Sequence, residues 1–576
     1  MRVVATAGHV DHGKSSLVEA LTGTNPDRFE EERARGLTID LGFAHTTLPS
    51  GAGISFVDVP GHVRFLRNML AGVGGVDACM FVVAATEGWK PQSEEHLRIL
   101  ELVGIRHGIV ALTKVDLVDE EWRQLQQLDL EDRLSGSFLS GAVIVPVSVT
   151  TGVGLDDLRD ALDVLVADTP AANDRGRPRL WIDRVFAAKG SGTVVTGTLT
   201  GGPLRVDQQV RAGAHDVRIR GVQTHGRNED AIGPGNRVAL NLVGVDHTQL
   251  ERGDAVVVPE QWRPTRRFDA SLRVLPALRH DVTRRGAYFA YIGSGEVPVK
   301  LRVLGSESIH PGGDGLVRMH LARAVPLVPG DRFVLRESGR DETVGGGEVL
   351  DVAPVLPASK ARPDRSIDRV IIERGWIDAD DLEALTGEHR RPTVGRYAVS
   401  TEWLEATGQA VRARVEAAGE LGLDIAELDD RGRLVAGALD GVAVEAGRAR
   451  IAGSRDPLND HPFVEALLAG GVTPPEPGGV DKAEMRELLR RGLVIERDGV
   501  YFHPATIDRV AEAVSRLLSV NPEGFTVAQL RDDLGASRKY ALPLVNELDA
   551  RGITRRRGDL RVAGPRLPGG AASAPA

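Results

Sequence analysis

One cysteine in 576 residues leaves no partner for an intramolecular disulfide and too few thiolates for a zinc cluster, which fits a reducing compartment. That residue, Cys79, lies in the apolar run ACMFVVAA and is expected to be a buried structural thiol. Aromatic residues are scarce, at 4%, beside 42% hydrophobic and 26% charged residues, so the composition excludes fibrous and disordered classes. No stretch reaches the ~18 consecutive apolar residues of a membrane span, and Met1 runs directly into the strand-like RVVATA; a cytoplasmic protein with no membrane partner is expected. The net charge of -10 rules out a uniformly basic coat, so any RNA contact must come from a local patch.

The chain is too long for one core, and ~100 to 200 residues per domain gives about four. Residues 1–170 alternate short apolar strands (Val3 to Thr6, Ile54 to Val57, Met80 to Ala84, Ile109 to Leu112, Ile144 to Val147) with amphipathic segments such as PQSEEHLRILELVG and LDDLRDALDVLVAD. This pattern predicts a parallel sheet covered on both faces. After the linker TPAANDRGRP, β-branched runs of period two predict a small β-barrel over 177–260 and a second over 266–355, ending near VGGGEVLD. From Arg365 the pattern becomes helix, short segment, helix, strand pair, which predicts tandem winged helices: 365–459, divided into two units, then 460–503 and 504–565. The last residues, 566–576, have the composition of a disordered tail.

The segment Gly8, His9, Val10, Asp11, His12, Gly13, Lys14, Ser15 fits GxxxxGK[S/T] between a strand and the helix SLVEALTG, the context of a phosphate-binding loop. Its amides turn toward a β-phosphate, Lys14 supplies charge, and Ser15 offers a hydroxyl to Mg2+. In DVPGH, Asp58 is placed to hold Mg2+ and Gly61 to sense a γ-phosphate. In TKVD, Thr113 to Asp116 with Lys114 between them, the Asp116 carboxylate can accept both N–H groups of guanine, a pair that adenine lacks. Thr38 in RGLTIDLG sits at the spacing of a switch that closes on Mg2+ when GTP is bound and opens with GDP, and SVTTG brings Ser148 and Val149 to the guanine end.

GHVDHGK and the DVPGH histidine resemble the translational GTPase family. The resemblance implies that His62 positions the attacking water, that Val10 and Leu37 form an apolar gate before it, and that Asp11 matches a monovalent-cation position. Thr113 departs from the asparagine common in relatives and implies weaker nucleotide binding with guanine selection kept; Val149 departs from the commoner alanine. A GTPase domain with two barrels resembles elongation factor Tu. The winged-helix tail, RGLTIDLGFA, IDRVFAAKGSGTVVTGTLTGG and SRKYALPLVNELDARGITRRRGD together resemble the bacterial selenocysteine-specific elongation factors over the whole chain.

That resemblance implies a cationic pocket of Asp183, Arg184, Arg237 and His225. A selenol ionises below neutral pH and a serine hydroxyl does not, so fixed guanidinium charge can sort the two, at ~1.5 to 3 kcal/mol per charge-assisted bond. An Asp–Arg pair in a strand is otherwise a common surface salt bridge. In the tail, Arg538 and Lys539 open an expected recognition helix, and Arg555, Arg556 and Arg557 form its wing, a local reversal of sign against the acidic chain. The bland reading of that patch is a solvated basic face. Implied partners are selenocysteinyl-tRNA, the ribosome and an mRNA hairpin following an in-frame UGA, with the chain a monomer. A general aminoacyl-tRNA or initiator-tRNA carrier, or an RNA-binding regulator holding structural GTP, remain the alternatives.

Overall fold

The computed structural model describes residues 1–27, 38–62, 65–73, 75–188 and 192–568. Leu37 and residues 569–576 of the tail lie outside these. The apolar runs at the N-terminus become β1 (Arg2–Ala7), β3 (Gly53–Asp58), β4 (Ala78–Ala84), β5 (Gly108–Thr113) and β6 (Ile144–Pro146). They pair in parallel in the order β3-β1-β4-β5-β6, because each is flanked by helices on both faces and buries both. Cys79 is fully buried in β4. The sheet is not wholly parallel: β2 (Gly42–Thr47) pairs antiparallel with β3 at the edge. Its sequence, GFAHTT, buries only one face, and that mixed character hid it among switch residues. The helices are α1 (Lys14–Thr22), α2 (Leu66–Val73), α3 (Pro91–Leu102), α4 (Glu120–Leu134) and α5 (Leu155–Asp168).

The first barrel consists of β7 (Arg179–Ala188), β8 (Gly192–Thr200), β9 (Gln209–Ala212), β10 (His215–Thr224), β11 (Asn236–Val243) and β12 (Ala255–Val257). The ring runs β9-β12-β7-β8-β11-β10 and closes by pairing β10 with β9. A second closed ring, β13-β16-β15-β14-β17-β18, comprises β13 (Thr265–Val274), β14 (Tyr288–Ile292), β15 (Gly295–Leu304), β16 (Asp314–Val325), β17 (Arg332–Glu337) and β18 (Glu342–Asp351). Closure depends on the glycines of VGGGEV: a Cβ at Gly347 would run into the Ser271 carbonyl of β13. The barrels are tied by a bidentate pair, Arg179 to Asp331, at 2.6 Å on both arms.

The chain divides into two compact units, residues 1–400 and 401–576, and the division falls inside the expected 365–459 region. Its first part, with α6 (Ile367–Arg374), α7 (Ala379–Thr386) and a strand pair, belongs with the barrels: Arg369 reaches Asp351 at 3.0 Å. The second unit holds three successive helix-and-hairpin modules, the first with α8 (Thr401–Ala417) and α9 (Asp430–Ala438) and the second with α10 (Pro462–Gly470) and α11 (Lys482–Arg490). The last has α12 (Pro504–Val520), α13 (Val527–Asp533), α14 (Arg538–Ala550) and the wing strands β19 (Thr554–Arg557) and β20 (Leu560–Ala563), the arrangement of a winged helix. Among the described residues no helix is long and apolar enough to cross a membrane.

On the outer side of the second barrel's strands, under the segment that follows β18, Arg318 binds Asp269 through two bonds of 2.6 and 2.8 Å, and both side chains are almost fully buried. Removing one partner strands a charge in low dielectric. Asp269→Ala is therefore expected to destabilise the barrel by about 3 to 5 kcal/mol, seen in calorimetry as a lower-temperature transition for the unit that contains it.

Candidate functional site

Between β1 and α1 the backbone folds into a tight loop. Gly8 has φ +133, and a Cβ there would run into the Val82 carbonyl; Gly13, at φ +84, starts α1 in the left-handed region. Lys14 curls inside and donates Nζ–H to the carbonyls of Gly8 (3.2 Å) and His9 (2.8 Å). Burial lowers its pKa to about 8 against the pull of nearby Asp58 and Asp11, so a buried cation stands ready for an anion. His12 Nδ1–H donates to Val82 O at 3.3 Å, and burial keeps its ring neutral, with a pKa of about 3. His9 and Val10 complete the loop with the exposed Asp11 at its tip, in the left-handed region.

Three expected Mg2+ ligands converge. Ser15 Oγ donates to Asp58 Oδ2 at 2.6 Å and lies 2.7 Å from Thr38 Oγ1. Burial raises the Asp58 pKa, opposed by the bonds from Ser15 and Thr6. Two hydroxyls and a carboxylate form the all-oxygen set that a hard cation prefers. Gly61 packs so tightly on the loop that an added Cβ would lie 2.7 Å from Val10 N. His62 is half-buried, its ring 6.0 Å from that of Phe65.

At the other end Thr113 is buried, and its hydroxyl donates to His12 O at 2.7 Å, tying β5 to the loop. Lys114 takes a left-handed turn and Asp116 stands exposed beyond it. Ser148 is buried and accepts the Thr151 N–H at 3.2 Å, while Val149 is exposed.

In the first barrel, Asp183 is the extra residue of a β-bulge, between the pairs Ile182–Gly197 and Arg184–Thr196. The bulge re-aims the chain so that Asp183 meets Arg237 in a bidentate pair (2.6 and 2.9 Å), with a third bond from Thr196 Oγ1 (2.7 Å). Arg184 donates to the Leu41 carbonyl. The Phe43 ring of β2 lies against both guanidiniums, 4.1 Å from Arg184 and 3.3 Å from Arg237. His225 packs on His45 at 4.3 Å; burial, with His45 and Arg227 nearby, lowers its pKa to about 4. Phe43, His45, Thr196, His225 and Arg237 line a cavity of about 260 Å³. Two guanidiniums, one carboxylate and a neutral imidazole leave one positive charge in excess among these four residues. The expected pocket thus has a wall that sequence reasoning missed, supplied by β2 of the first domain.

In the tail, Arg538 and Lys539 stand exposed on the first turn of α14, and Arg555, Arg556 and Arg557 are exposed on the wing. Other arginines of the same basic run are spent internally: Arg561 pairs with Asp549 (2.6 Å) and Arg551 with Glu547 (2.8 Å). Lys539 makes one exposed pair, with Glu476 at 3.0 Å.

Sequence reasoning also missed Thr6, Asp27, Gln92 and His96. Thr6 Oγ1 donates to Asp58 Oδ1 at 2.6 Å, and Thr38 Oγ1 donates to Asp27 at 2.9 Å. A lone threonine inside the apolar RVVATA was the available signal for the first; Asp27 had none. Exchanging the exposed carboxylate for an amide tests the guanine end, since an amide cannot accept both N–H groups. Asp116→Asn is expected to weaken GTP binding about tenfold or more and to strengthen binding of xanthosine triphosphate, as read by competition with a fluorescent nucleotide.

Residues 1–168 match the elongation factor Tu GTP binding domain, 277–355 the beta-barrel domain of the selenocysteine-specific elongation factor, and 516–563 the winged helix of elongation factor SelB. The selenocysteine-specific elongation factor of Desulfomicrobium baculatum is 35% identical over 517 residues, covering 88% of this chain and 76% of the relative. That of Escherichia coli K12 is 30% identical, covering 97% and 98%. A crystal structure of a bacterial selenocysteine-specific elongation factor EF-Sec superposes with a TM-score of 0.72 at 26% identity, covering 98% of this chain and 99% of that one. The first domain is a translational GTPase domain, and the chain belongs to the family of selenocysteine-specific elongation factors.

Proposed function

We propose that the chain delivers selenocysteinyl-tRNA to the ribosome, in the cytoplasm and as a monomer, at in-frame UGA codons followed by an mRNA hairpin. The observation that carries this reading is the Asp183, Arg184 and Arg237 cluster, which fixes two guanidiniums against the Phe43 ring, with Arg237 lining the cavity, and keeps positive charge in excess. An ionised selenolate gains charge-assisted bonds there, whereas the neutral hydroxyl of a serine ester on the same tRNA does not.

GTP is held by the loop from Gly8 to Ser15, with Lys14 on its phosphates and Asp116 reading guanine beside Thr113, Lys114, Ser148 and Val149. Mg2+, when bound, neutralises phosphate charge in the transferring group. Ser15 and Thr38 would hold it by their hydroxyls and Asp58 through water, and Thr6 supports them by orienting the Asp58 carboxylate. Gly61 senses the γ-phosphate, and His62 positions the attacking water. In the tail, Arg538 and Lys539 with the wing residues Arg555, Arg556 and Arg557 grip the hairpin's phosphates, and the tether raises the local concentration of the complex at one codon.

Arg184→Gln with Arg237→Gln is expected to reduce the preference for selenocysteinyl-tRNA over seryl-tRNA on the same tRNA body by about tenfold or more, in affinities measured with GTP present. An unchanged ratio would remove the selenium-specific reading and leave a GTPase of other cargo. Neutralising Arg555, Arg556 and Arg557 to alanine should weaken hairpin binding, flatten its salt dependence by about three phosphate contacts, and lower UGA readthrough while intrinsic GTP hydrolysis persists.

A further inference from the structure

Helix α3 touches the phosphate loop with one face and the second barrel with another. Gln92 and His96, four residues apart, share the loop-facing side. His96 Nδ1 accepts the N–H of Gly8 at 3.1 Å, and Gln92 Oε1 accepts that of Val10 at 3.4 Å. His96 is fully buried, and burial lowers its pKa to about 3. The ring is therefore neutral with Nδ1 unprotonated, the only form that can accept this bond. Gly8 passes so close to β4 that a Cβ built on it would collide with the Val82 carbonyl.

Glu95 and Leu102, seven residues apart, share the other side. Glu95 Oε1 accepts from Arg336 Nη1 and from Thr343 Oγ1, both at 3.4 Å. Arg336 is itself fixed, donating to Thr343 Oγ1 (2.7 Å) and to the Asp341 carbonyl (2.8 Å). At the helix end β18 approaches so closely that a Cβ on Gly346 would lie 3.0 Å from Leu102 Cβ. Tyr291 and Val334 of the barrel are buried in the same apolar cluster as Leu97 and Leu100 of the helix. Close-packed contacts of this kind transmit displacement instead of absorbing it.

We propose that α3 is a lever by which the second barrel sets how firmly the phosphate loop is held. His96 and Gln92 act as positioning residues for the loop, and Glu95 is the point where the barrel bears on the helix. The inference rests on the placement of the nucleotide at residues 8–15. It assigns the control of nucleotide dwell time to contacts within this chain, remote from the phosphates.

The test is stopped-flow release of a fluorescent N-methylanthraniloyl GDP from the full-length protein. His96→Ala is expected to speed release about fivefold, the loss of one buried hydrogen bond. His96→Asn, whose amide oxygen replaces the Nδ1 acceptor, should restore much of the dwell time, which a general packing role for the ring would not do. Glu95→Gln, on a half-exposed side chain that leaves the core intact, should speed release about two- to threefold. The double variant should be no faster than His96→Ala alone, because both act on one path. Wild-type release from Glu95→Gln, or effects that multiply in the double variant, overturns the lever while leaving the nucleotide site standing. Failure of the wild-type protein to bind the fluorescent GDP at all would overturn the site and the lever together.

Discussion

A carboxylate removed from water must find donors on the spot, and Asp58 meets that demand with Thr6 on one oxygen and Ser15 on the other. Those two bonds join the ends of three elements, β1, β3 and α1, and Thr38 adds a hydroxyl from the stretch leading to β2. Because burial alone pushes the Asp58 carboxyl toward protonation, its ionised form depends on these donors. Lys14 obeys the same rule with opposite sign: it is a cation out of water, satisfied by two loop carbonyls. The phosphate loop is therefore a place where opposite charges are stored a short distance apart, each committed to backbone or hydroxyl groups that a ligand can replace.

The barrel pocket repeats the principle. Asp183 is buried yet fully engaged, and Arg237 is fixed rather than free to wander, so its charge is preorganised. The bulge in β7 brings Asp183 onto Arg237, which lines the cavity. Phe43 and His45 bring the first domain into the wall of that cavity. They lie on the strand that follows Thr38, so the Ser15, Thr38 and Asp58 cluster and the barrel cavity share one short stretch of chain.

Basic residues in the tail show why a count of charge is a poor guide to a binding face. Arg551 and Arg561 stand in the same basic run as the wing arginines, yet each is consumed by a carboxylate of α14. Exposed side chains such as Arg538 and those of the wing keep their charge available, and the exposed pair of Lys539 with Glu476 is weakly held in water. Sequence spacing locates the run; the fold decides which members of it are available.

The order of the motifs determined a great deal by itself. Glycines at fixed offsets, a lysine and a serine can adopt one useful conformation between a strand and a helix, so the phosphate loop, the DVPGH and TKVD segments and the two barrels were legible from local chemistry and period. The antiparallel edge strand was not, because a one-sided strand of mixed polarity carries little periodic signal. The Thr6 donor to Asp58, the His96 bond to Gly8 and the Phe43 wall were equally hidden, since each joins residues far apart in the chain through a single contact. Local sequence sets which backbone conformations are cheap; only the packed structure decides which distant side chains must satisfy a buried charge.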